Sequence, residues 1–232
     1  MTHTHHRRGS RKSLQNDFVV LAMIDPAVKA QHIYKEPLTV RVKRFLDICA
    51  SNNPVALAAR TPDRRLRYLK GWKLNMDSGI HRTANLREIK SCEDIEGIGH
   101  AVYTNKEDIT GLLKELKEAD LGLSIVVSGV FEDVFDACER AGIEPHTVNM
   151  SLETWGKTEL LPKSPVLELC TMCGHAMIAP KLAETLMDRV KRGGMTPEEA
   201  AVELGKQCTC NIFNTARAAE IFRSNIIEKV QT

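Results

Sequence analysis

The sequence predicts an α/β fold with a parallel or mixed sheet and flanking helices, followed by a helical C-terminal subdomain that binds a metal. Phe18–Ile24 is a continuous apolar run, which is typical of a strand buried on both faces. Residues 100–150 alternate between short β-branched runs and stretches with helical periodicity. From Pro162 onward only helical periodicity remains, and four cysteines occur in two close pairs.

The chain between Pro37 and residue 97 contains one predicted helix and two predicted strands. After Pro37 the spacing of apolar residues predicts a helix that ends at residues 52–54, where two asparagines precede a proline. Residues 55–59 then form a short apolar strand, and residues 65–74 an exposed, basic strand with partial alternation. Residues 75–97 are polar and contain glycine, which predicts a long loop with one helical turn.

The middle of the chain has the most regular pattern. Residues 100–104 and 123–127 read as strands, and each precedes a helical stretch; Asn105 is the N-cap of the first and residues 130–141 form the second. Residues 146–150 read as another strand. Strands and helices that alternate in this way predict parallel strands joined by right-handed crossovers.

The C-terminal part carries clear helix-start signals. Pro180 begins a helix that Gly193-Gly194 ends. Residues 196–199, Thr-Pro-Glu-Glu, form a capping box with proline at the first helical position, and Asn214 is the N-cap of a last helix. We therefore divide the chain into a disordered, basic, His-rich tail (1–16), an α/β domain (17–157) and a helical, Cys-rich metal-binding subdomain (158–232).

The bulk composition excludes several function classes. The net charge is +2, from 32 basic and 30 acidic residues, and aromatic residues make up only 5% of the chain, so nucleic acid is not an expected partner. The longest apolar run is far shorter than the about 20 residues of a membrane-spanning helix, which predicts no membrane association. Seven cysteines are an odd number for a secreted disulfide framework and predict a reducing, cytoplasmic location.

The two cysteine pairs predict a metal site. Cys170 and Cys173 have the spacing of a knuckle that directs both sulfur atoms at one ion, and Cys208 and Cys210 form the second pair. Residues 174–207 separate the pairs and read as two helices that run out and back. At 1.5 Å per residue the outward helix is about 20 Å long and the return about 12 Å, and extended residues can close the difference. Buried free cysteines and a redox-active Cys170–Cys173 dithiol are the alternatives.

The metal favoured for these four ligands is iron, in a [4Fe–4S] cluster, with zinc as the alternative. The Cys-Thr-Cys pair is tighter than the usual zinc knuckle, and both pairs lie in turns where backbone N–H groups can bind cluster sulfides. His175 can replace one cysteine as a ligand, which leaves one iron open for substrate. Cys92 is either a fifth thiol ligand or a plain surface thiol, and we favour the surface thiol.

Three histidines at element boundaries are the candidates for acid/base catalysis. His81, His100 and His146 lie where loops meet predicted strands, and loops beside strand ends often carry catalytic groups. His100 and His146 precede their strands, which is the less usual edge for catalysis in a parallel sheet. A structural role is the alternative for each of them.

These observations predict an iron–sulfur enzyme, an oxidoreductase or a lyase, that acts on a small polar substrate. The cluster serves in electron transfer or as a Lewis acid, and the partners are the substrate or a redox partner protein. An oligomer is compatible with the sequence. The alternatives are a zinc-stapled binding protein and a metal- or redox-sensing regulator; for the regulator, the last helix offers only Arg217 and Arg223 as basic residues in its first turns.

Overall fold

The computed structural model describes residues 7–23, 34–63, 65–70, 77, 81–96, 99–150 and 154–227. These residues contain a six-stranded sheet with the strand order β4-β3-β2-β5-β1-β6. The strands are β1 (Phe18–Met23), β2 (Ala56–Arg60), β3 (Arg65–Leu69), β4 (His81–Thr83), β5 (His100–Tyr103) and β6 (Ser124–Ser128).

Helices lie before, between and after the strands. Those in the first two thirds are α1 (Arg11–Leu14), α2 (Leu38–Ser51), α3 (Leu86–Ser91), α4 (Lys106–Ala119) and α5 (Phe131–Arg140). A 3-10 helix (Thr158–Leu160) then precedes α6 (Val166–Thr171), α7 (Pro180–Lys191), α8 (Pro197–Gly205) and α9 (Thr215–Ile227). Within the described ranges, none of these helices combines the length and the apolar character that a membrane crossing requires.

The sheet is mixed, and the predicted parallel pairing of neighbouring strands is wrong for most of it. Among the described strands only β3 and β4 pair in parallel, whereas β1 pairs antiparallel with both β5 and β6, and β2 pairs antiparallel with β3 and β5. Because β5 and β6 both run opposite to β1, they are parallel to each other across it. Likewise, β1 and β2 both run opposite to β5, so they are parallel to each other on its two sides. The connections from β1 to β2 and from β5 to β6 therefore each form a split βαβ unit, in which a strand of the other unit lies between the two parallel strands. The strands joined by a helix are parallel, as predicted, but they are not neighbours in the sheet.

Two segments differ from their predicted structure. Residues 146–150 form no strand; they are exposed, and a strand that buries neither face gains nothing from the sheet. The predicted loop over residues 75–97 contains β4 and α3, and the Asn85 side chain and Glu88 form a capping box at the start of α3. The predicted strand ends at Ile24 and at residues 71–74 lie outside the described residues.

The sheet separates two apolar cores. One face packs against α2 and α4 through side chains that include Phe18, Val20 and Tyr103. The other face contributes Val19 and Val102 to a core that it shares with the C-terminal helices. From residue 158 onward the described residues form helices and turns only, as predicted, and they cover the sheet as a third layer.

The prediction of a disordered tail over residues 1–16 is wrong for residues 7–16, and residues 1–6 lie outside the described part. The Ser10 side chain caps α1 by accepting a hydrogen bond from the Ser13 backbone N–H. The Arg8 backbone N–H donates to the Thr171 hydroxyl at 3.0 Å. These contacts hold the polar residues 7–16 against the C-terminal layer. Local composition does not predict this order, because it depends on contacts with residues far away in the sequence.

A buried ion-pair network holds this segment in place. The Asp17 carboxylate accepts hydrogen bonds from Arg7, from Arg217 at 2.6 Å and from the Asn214 side chain at 3.1 Å. Burial raises the pKa of Asp17, but the two guanidinium groups outweigh that effect and hold this pKa below its ordinary value. Asn214 is also the N-cap of α9, as predicted, because its side chain accepts from the Arg217 backbone N–H at 3.0 Å.

The helical hairpin between the cysteine pairs is confirmed. It consists of α7 and α8, with Gly193 in the left-handed region at the turn. The Thr196 hydroxyl accepts from the Glu199 backbone N–H at 3.2 Å, and the Glu199 carboxylate accepts from the Thr196 backbone N–H at 2.8 Å. The capping box therefore begins α8 at the predicted residue and directs it back toward the first cysteine pair.

Replacing Thr196 with alanine is expected to lower the free energy of unfolding by about 1 kcal/mol, because the side-chain cap of the hairpin is lost. Urea unfolding followed by circular dichroism measures this change. Thr185→Ala is the matched control, since Thr185 lies on the exposed face of α7; its expected change is below about 0.5 kcal/mol. Equal effects for the two variants would contradict the role assigned to the cap.

Candidate thiolate site

The first cysteine pair lies at the end of a short helix. Cys170 belongs to the last turn of α6, and Cys173 follows in the turn that ends the helix. The Ala176 backbone N–H donates to the Cys173 carbonyl at 3.0 Å, and Ala176 has a positive φ of 53°. This tight turn directs the backbone N–H groups of His175 and Met177 at the Cys173 sulfur.

The second pair lies in the connection between α8 and α9. The Cys208 backbone N–H donates to the Gly205 carbonyl at 3.0 Å, and the Asn211 backbone N–H donates to the Cys208 carbonyl at 3.2 Å. Asn211 has a positive φ of 56°, and its side chain donates to the Leu57 carbonyl at 3.2 Å. The sheet strand β2 thereby anchors residues 208–211, which we call the cysteine loop.

Sulfur atoms from the two pairs come together, as the hairpin predicts. The Cys208 thiol donates a hydrogen bond to the Cys173 sulfur, and this bond, with the two backbone N–H groups, lowers the pKa of Cys173 to about 6 although burial opposes the shift. The same hydrogen bond, together with burial, raises the pKa of Cys208 well above its ordinary value. The Cys210 sulfur lies 3.6 Å from His175 Nδ1.

Arg67 on β3 is the largest fully buried side chain in the described residues, with 0% exposure. Its guanidinium donates to the backbone carbonyls of Cys208 and of Gly205, the latter at 3.4 Å, while its Nε has no hydrogen-bond partner among the residues that the structure describes. In the described part of the chain no carboxylate forms an ion pair with Arg67. Burial lowers the pKa of Arg67 to about 10, so the group stays protonated at neutral pH. The cysteine sulfurs beside it oppose this shift, and Cys173 is the one among them whose own pKa is lowered.

His81 lies beside Arg67 beneath the cysteine loop. Its Nε2 is 2.7 Å from Arg67 Nη2 and 2.8 Å from the Thr209 carbonyl oxygen, so it accepts from Arg67 in one tautomer and donates to Thr209 in the other. Burial, followed by the charge of Arg67, lowers the pKa of His81 to about 4. His81 is therefore neutral at physiological pH. Arg65 also donates to the Thr209 carbonyl.

Cys170 differs from Cys173 and Cys208 in its surroundings. It is half-buried against the core between the sheet and the C-terminal helices. Burial, followed by the charge of Glu184 on α7, raises the pKa of Cys170 to about 11. Within the described ranges, no three His, Cys, Asp or Glu side chains are arranged so that they could hold a metal ion. The structure thus brings members of both pairs together without placing four sulfur atoms around one point.

The structure places two of the three predicted histidines on the sheet face that the cysteine loop covers. His100 has the same orientation on β5 as Val102, which packs toward the C-terminal helices. Ala58 on β2 lies opposite Arg67 on β3 and opposite His100 on β5. The Cα atoms of Arg67 and His100 are therefore two strand spacings apart, about 10 Å. Like His81, His100 is a buried residue.

His146 lies elsewhere, on the exposed segment that follows α5. It lines an open groove of about 850 Å³ between β6, α5 and residues 143–149. The structure therefore does not bring His146 to the cysteine loop, and the three histidines do not form one cluster. Cys92 packs on the α2 side of the sheet, opposite the cysteine loop, which agrees with its interpretation as a plain thiol and not as a fifth ligand.

Sequence reasoning missed Arg67 because it assigned residues 65–74 to an exposed strand. In the structure β3 lies between β2 and β4, and Arg67 has the same orientation as the buried Leu69. The signal available in the sequence was the alternation of Arg65 and Arg67 with apolar residues, which predicts one polar face. It does not reveal that the cysteine loop covers this face.

No protein-family model, curated protein or solved structure matches this chain. The sheet topology on its own says little about function, because one fold supports many unrelated activities. The side chains around the cysteine loop are therefore the basis for a functional assignment.

Proposed function

We propose that this chain is an iron–sulfur enzyme whose cluster is bound by Cys170, Cys173, Cys208 and Cys210, and that it acts on a small polar substrate as an oxidoreductase or a lyase. One observation carries the proposal: cysteines from two distant pairs meet around a buried arginine that has no carboxylate partner among the described residues. The cluster would supply electron transfer or Lewis-acid chemistry when bound.

The charge of Arg67 favours an anionic centre over neutral thiols. A buried cation costs several kcal/mol unless an opposite charge or strong hydrogen bonds compensate it. Backbone carbonyls accept two of its N–H groups, and the nearby Cys173, whose pKa of about 6 leaves it ionised at neutral pH, supplies one negative charge. Four thiolates that bind a [4Fe–4S] cluster or a zinc ion form a centre with net negative charge, which would balance the guanidinium.

The backbone around the loop also favours thiolates. The Cys173 sulfur accepts the N–H of Met177, and the Cys208 sulfur accepts the N–H of Ile212, so each sulfur is matched by a backbone donor four residues later. Hydrogen bonds to sulfur stabilise the ionised form and tune the potentials of iron–sulfur centres. This repeated arrangement in two unrelated turns supports a shared role for both cysteines.

The fourth ligand requires a change of side-chain orientation. Cys170 would rotate about its Cα–Cβ bond, away from Glu184, so that its sulfur faces Cys173 at the end of α6. His175 is the alternative fourth ligand, because its Nδ1 is already 3.6 Å from the Cys210 sulfur. An iron open to a substrate oxygen or nitrogen atom would require that neither of these two residues binds, so that only Cys173, Cys208 and Cys210 hold the cluster.

The histidines would then have different roles. If Cys170 is the fourth ligand, His175, which is exposed and adjacent to Cys210, is the histidine best placed to exchange a proton with a substrate at the loop. His81 is enclosed by Arg67 and the Thr209 carbonyl, and its proposed role is to orient the guanidinium. His146, on the far groove, has no role in this proposal.

The two non-catalytic alternatives have less support. A zinc staple would serve chiefly to hold the C-terminal helices, yet these helices already share a large apolar core with the sheet. A DNA-binding regulator would present Arg217 from the last helix, but the side chain of Arg217 is 1% exposed and paired with Asp17. Arg223 is paired with Glu198.

Metal analysis of protein produced and purified without oxygen tests the proposal. We expect a brown protein with about four iron and four sulfide per chain, and visible absorption that decreases on reduction with dithionite. A colourless protein with one zinc per chain would support the zinc staple instead. Protein without metal, in which all seven thiols react with a thiol reagent after unfolding, would contradict both metal hypotheses.

A further inference from the structure

Residues 7–17, which we call the N-terminal strap, contact both of the turns that carry the cysteines. At the first turn, the Arg8 backbone N–H donates at 3.0 Å to the hydroxyl of Thr171, which lies inside the first cysteine pair. At the second turn, the Arg7 guanidinium donates at 2.5 Å to the carbonyl of Ile212, which follows the second pair. One short segment therefore bridges two turns that are far apart in the sequence.

Both contacts act on groups that lie next to a cysteine sulfur. The backbone N–H of Ile212 donates to the Cys208 sulfur, and Arg7 binds the carbonyl of the same residue. Thr171 is the last residue of α6, and Cys173 follows it in the turn that ends this helix. The strap is thus connected to the Cys208 sulfur through a single residue, and to the chain just before Cys173.

Buried charged side chains hold the strap in this position. Arg217 on α9 donates to the Arg8 carbonyl at 2.6 Å and to the Ser13 hydroxyl at 2.9 Å. Asp17, at the end of the strap, accepts from both Arg7 and Arg217, and its side chain is fully buried. Hydrogen bonds to ionised groups are stronger than those between neutral groups, so the strap has a defined place on the C-terminal layer.

Gly9 allows the strap to run close to the C-terminal layer. Its φ is 149°, a backbone conformation that residues with a side chain rarely adopt. A Cβ atom at this position would lie 2.3 Å from Arg217 Nη2 and 2.8 Å from Glu168 Oε2. Arg217 is held by the buried Asp17, so an alanine at position 9 is expected to break the contact between the strap and Arg217.

We propose that the strap fixes the two cysteine turns relative to each other, and that Arg7 is its positioning residue for the turn of Cys208. Cys173 and Cys208 are 2% and 0% exposed, so a metal ion reaches their sulfur atoms only when these turns move. Release of the strap is then the opening step that admits metal, and its return closes the site. This role rests on the proposed function, since it takes both cysteines as ligands of one metal centre.

Labelling rates of individual thiols test the role of the strap. The full-length protein is freed of metal with a chelator and treated with N-ethylmaleimide for increasing times, and mass spectrometry of its peptides gives a rate for each cysteine. Arg7→Met is expected to make Cys173 and Cys208 react at least about tenfold faster, because a hydrogen bond to a charged group is lost. Arg11→Gln is the matched control, since Arg11 lies in the strap but forms an exposed pair with Glu132, and it leaves these rates unchanged.

Two further cysteines distinguish this role from a general loss of stability. Cys49 and Cys138 are buried in the core on the α2 side of the sheet, opposite the cysteine loop. If Arg7→Met lowered the stability of the whole fold, their labelling rates would rise together with those of Cys173 and Cys208. Opening confined to the cysteine turns leaves the rates of Cys49 and Cys138 within about twofold of the wild-type values.

Gly9→Ala gives an independent test if the Arg7 variant folds poorly. It keeps every charged group of the strap and is expected to raise the labelling rates of the same two site cysteines, because it moves the strap away from α9. Gly194→Ala is the matched control, because a Cβ atom there would lie at an ordinary contact distance of 3.5 Å from the Arg189 carbonyl oxygen.

Labelling rates of Cys173 and Cys208 that stay unchanged in both strap variants would overturn the proposal. An equal rise at Cys49 and Cys138 would also overturn it, since the strap would then stabilise the whole fold without positioning the cysteine turns. Because the labelling uses metal-free protein, its outcome is separate from the metal content of anaerobically purified protein, which tests the proposed function.

Discussion

Replacing Cys208 with serine is expected to abolish metal binding at the proposed centre. Cys208 is fully buried, and its sulfur interacts with that of Cys173, so its loss breaks the contact between the two cysteine pairs. A serine hydroxyl is a poor ligand for iron or zinc at neutral pH. We expect the metal content of anaerobically purified protein to fall below about a tenth of the wild-type content, because each thiolate adds strongly to metal affinity.

The matched control is Cys92→Ser, because Cys92 packs on the opposite side of the sheet. It is expected to keep the full metal content and the visible spectrum. The circular dichroism spectra of both variants report whether the fold is retained. Equal metal loss in the two variants, or none in Cys208→Ser, would contradict the site.

The same measurement distinguishes the two candidates for the fourth ligand. If Cys170 rotates toward the centre, Cys170→Ser loses the metal and His175→Ala keeps it. If His175 is the ligand, the two results are reversed. This comparison matters because His175 lies next to Cys210, another proposed ligand, whereas Cys170 lies near Glu184.

Replacing Asp17 with asparagine is expected to produce the largest loss of stability. The substitution leaves Arg7 and Arg217 buried without their shared carboxylate. Breaking a buried ion pair from one side typically costs about 3–5 kcal/mol. Arg217 would keep only the longer contact with Glu168, at 3.5 Å. For a chain of this size such a loss lowers Tm by roughly 6–20 °C.

Urea unfolding measures the loss, and Arg223→Gln is the matched control. Arg223 and Glu198 form an exposed ion pair, whose removal is expected to change stability by less than about 1 kcal/mol. Asp17 also makes stability depend on pH. Because its folded pKa is below its unfolded value, its contribution is present above about pH 4 and is lost as the pH falls through the folded pKa. A stability loss below 1 kcal/mol for Asp17→Asn would contradict this account.

The helices of this protein could be predicted because their start and stop signals are local. Pro180, Thr196 and Asn214 act on backbone groups within three residues of themselves, so their effect does not depend on the rest of the fold. The order of the strands in the sheet, in contrast, could not be predicted from local signals. Nothing in residues 100–128 indicates that β1 inserts between β5 and β6, because that choice depends on contacts about 80 to 110 residues apart along the chain.

The candidate site also has one part that could be predicted from local sequence and one part that could not. The meeting of the cysteine pairs follows from the lengths of two helices and a turn, which the sequence contains. The burial of Arg67 follows from the cysteine loop, which lies 141 residues later in the chain. A charged residue in a predicted strand is assigned to an exposed face unless the segment that covers it is known.

The contacts of residues 7–17 with the last helix have a consequence for biosynthesis. Arg217 and Asp17 are 200 residues apart, and Arg7 also donates to the carbonyl of Ile212 at 2.5 Å, two residues after Cys210. Ribosomal synthesis delivers the first segment long before the last helix exists. The cysteine loop can therefore be held in place only after α9 has been synthesised, and we expect insertion of any metal to follow that step.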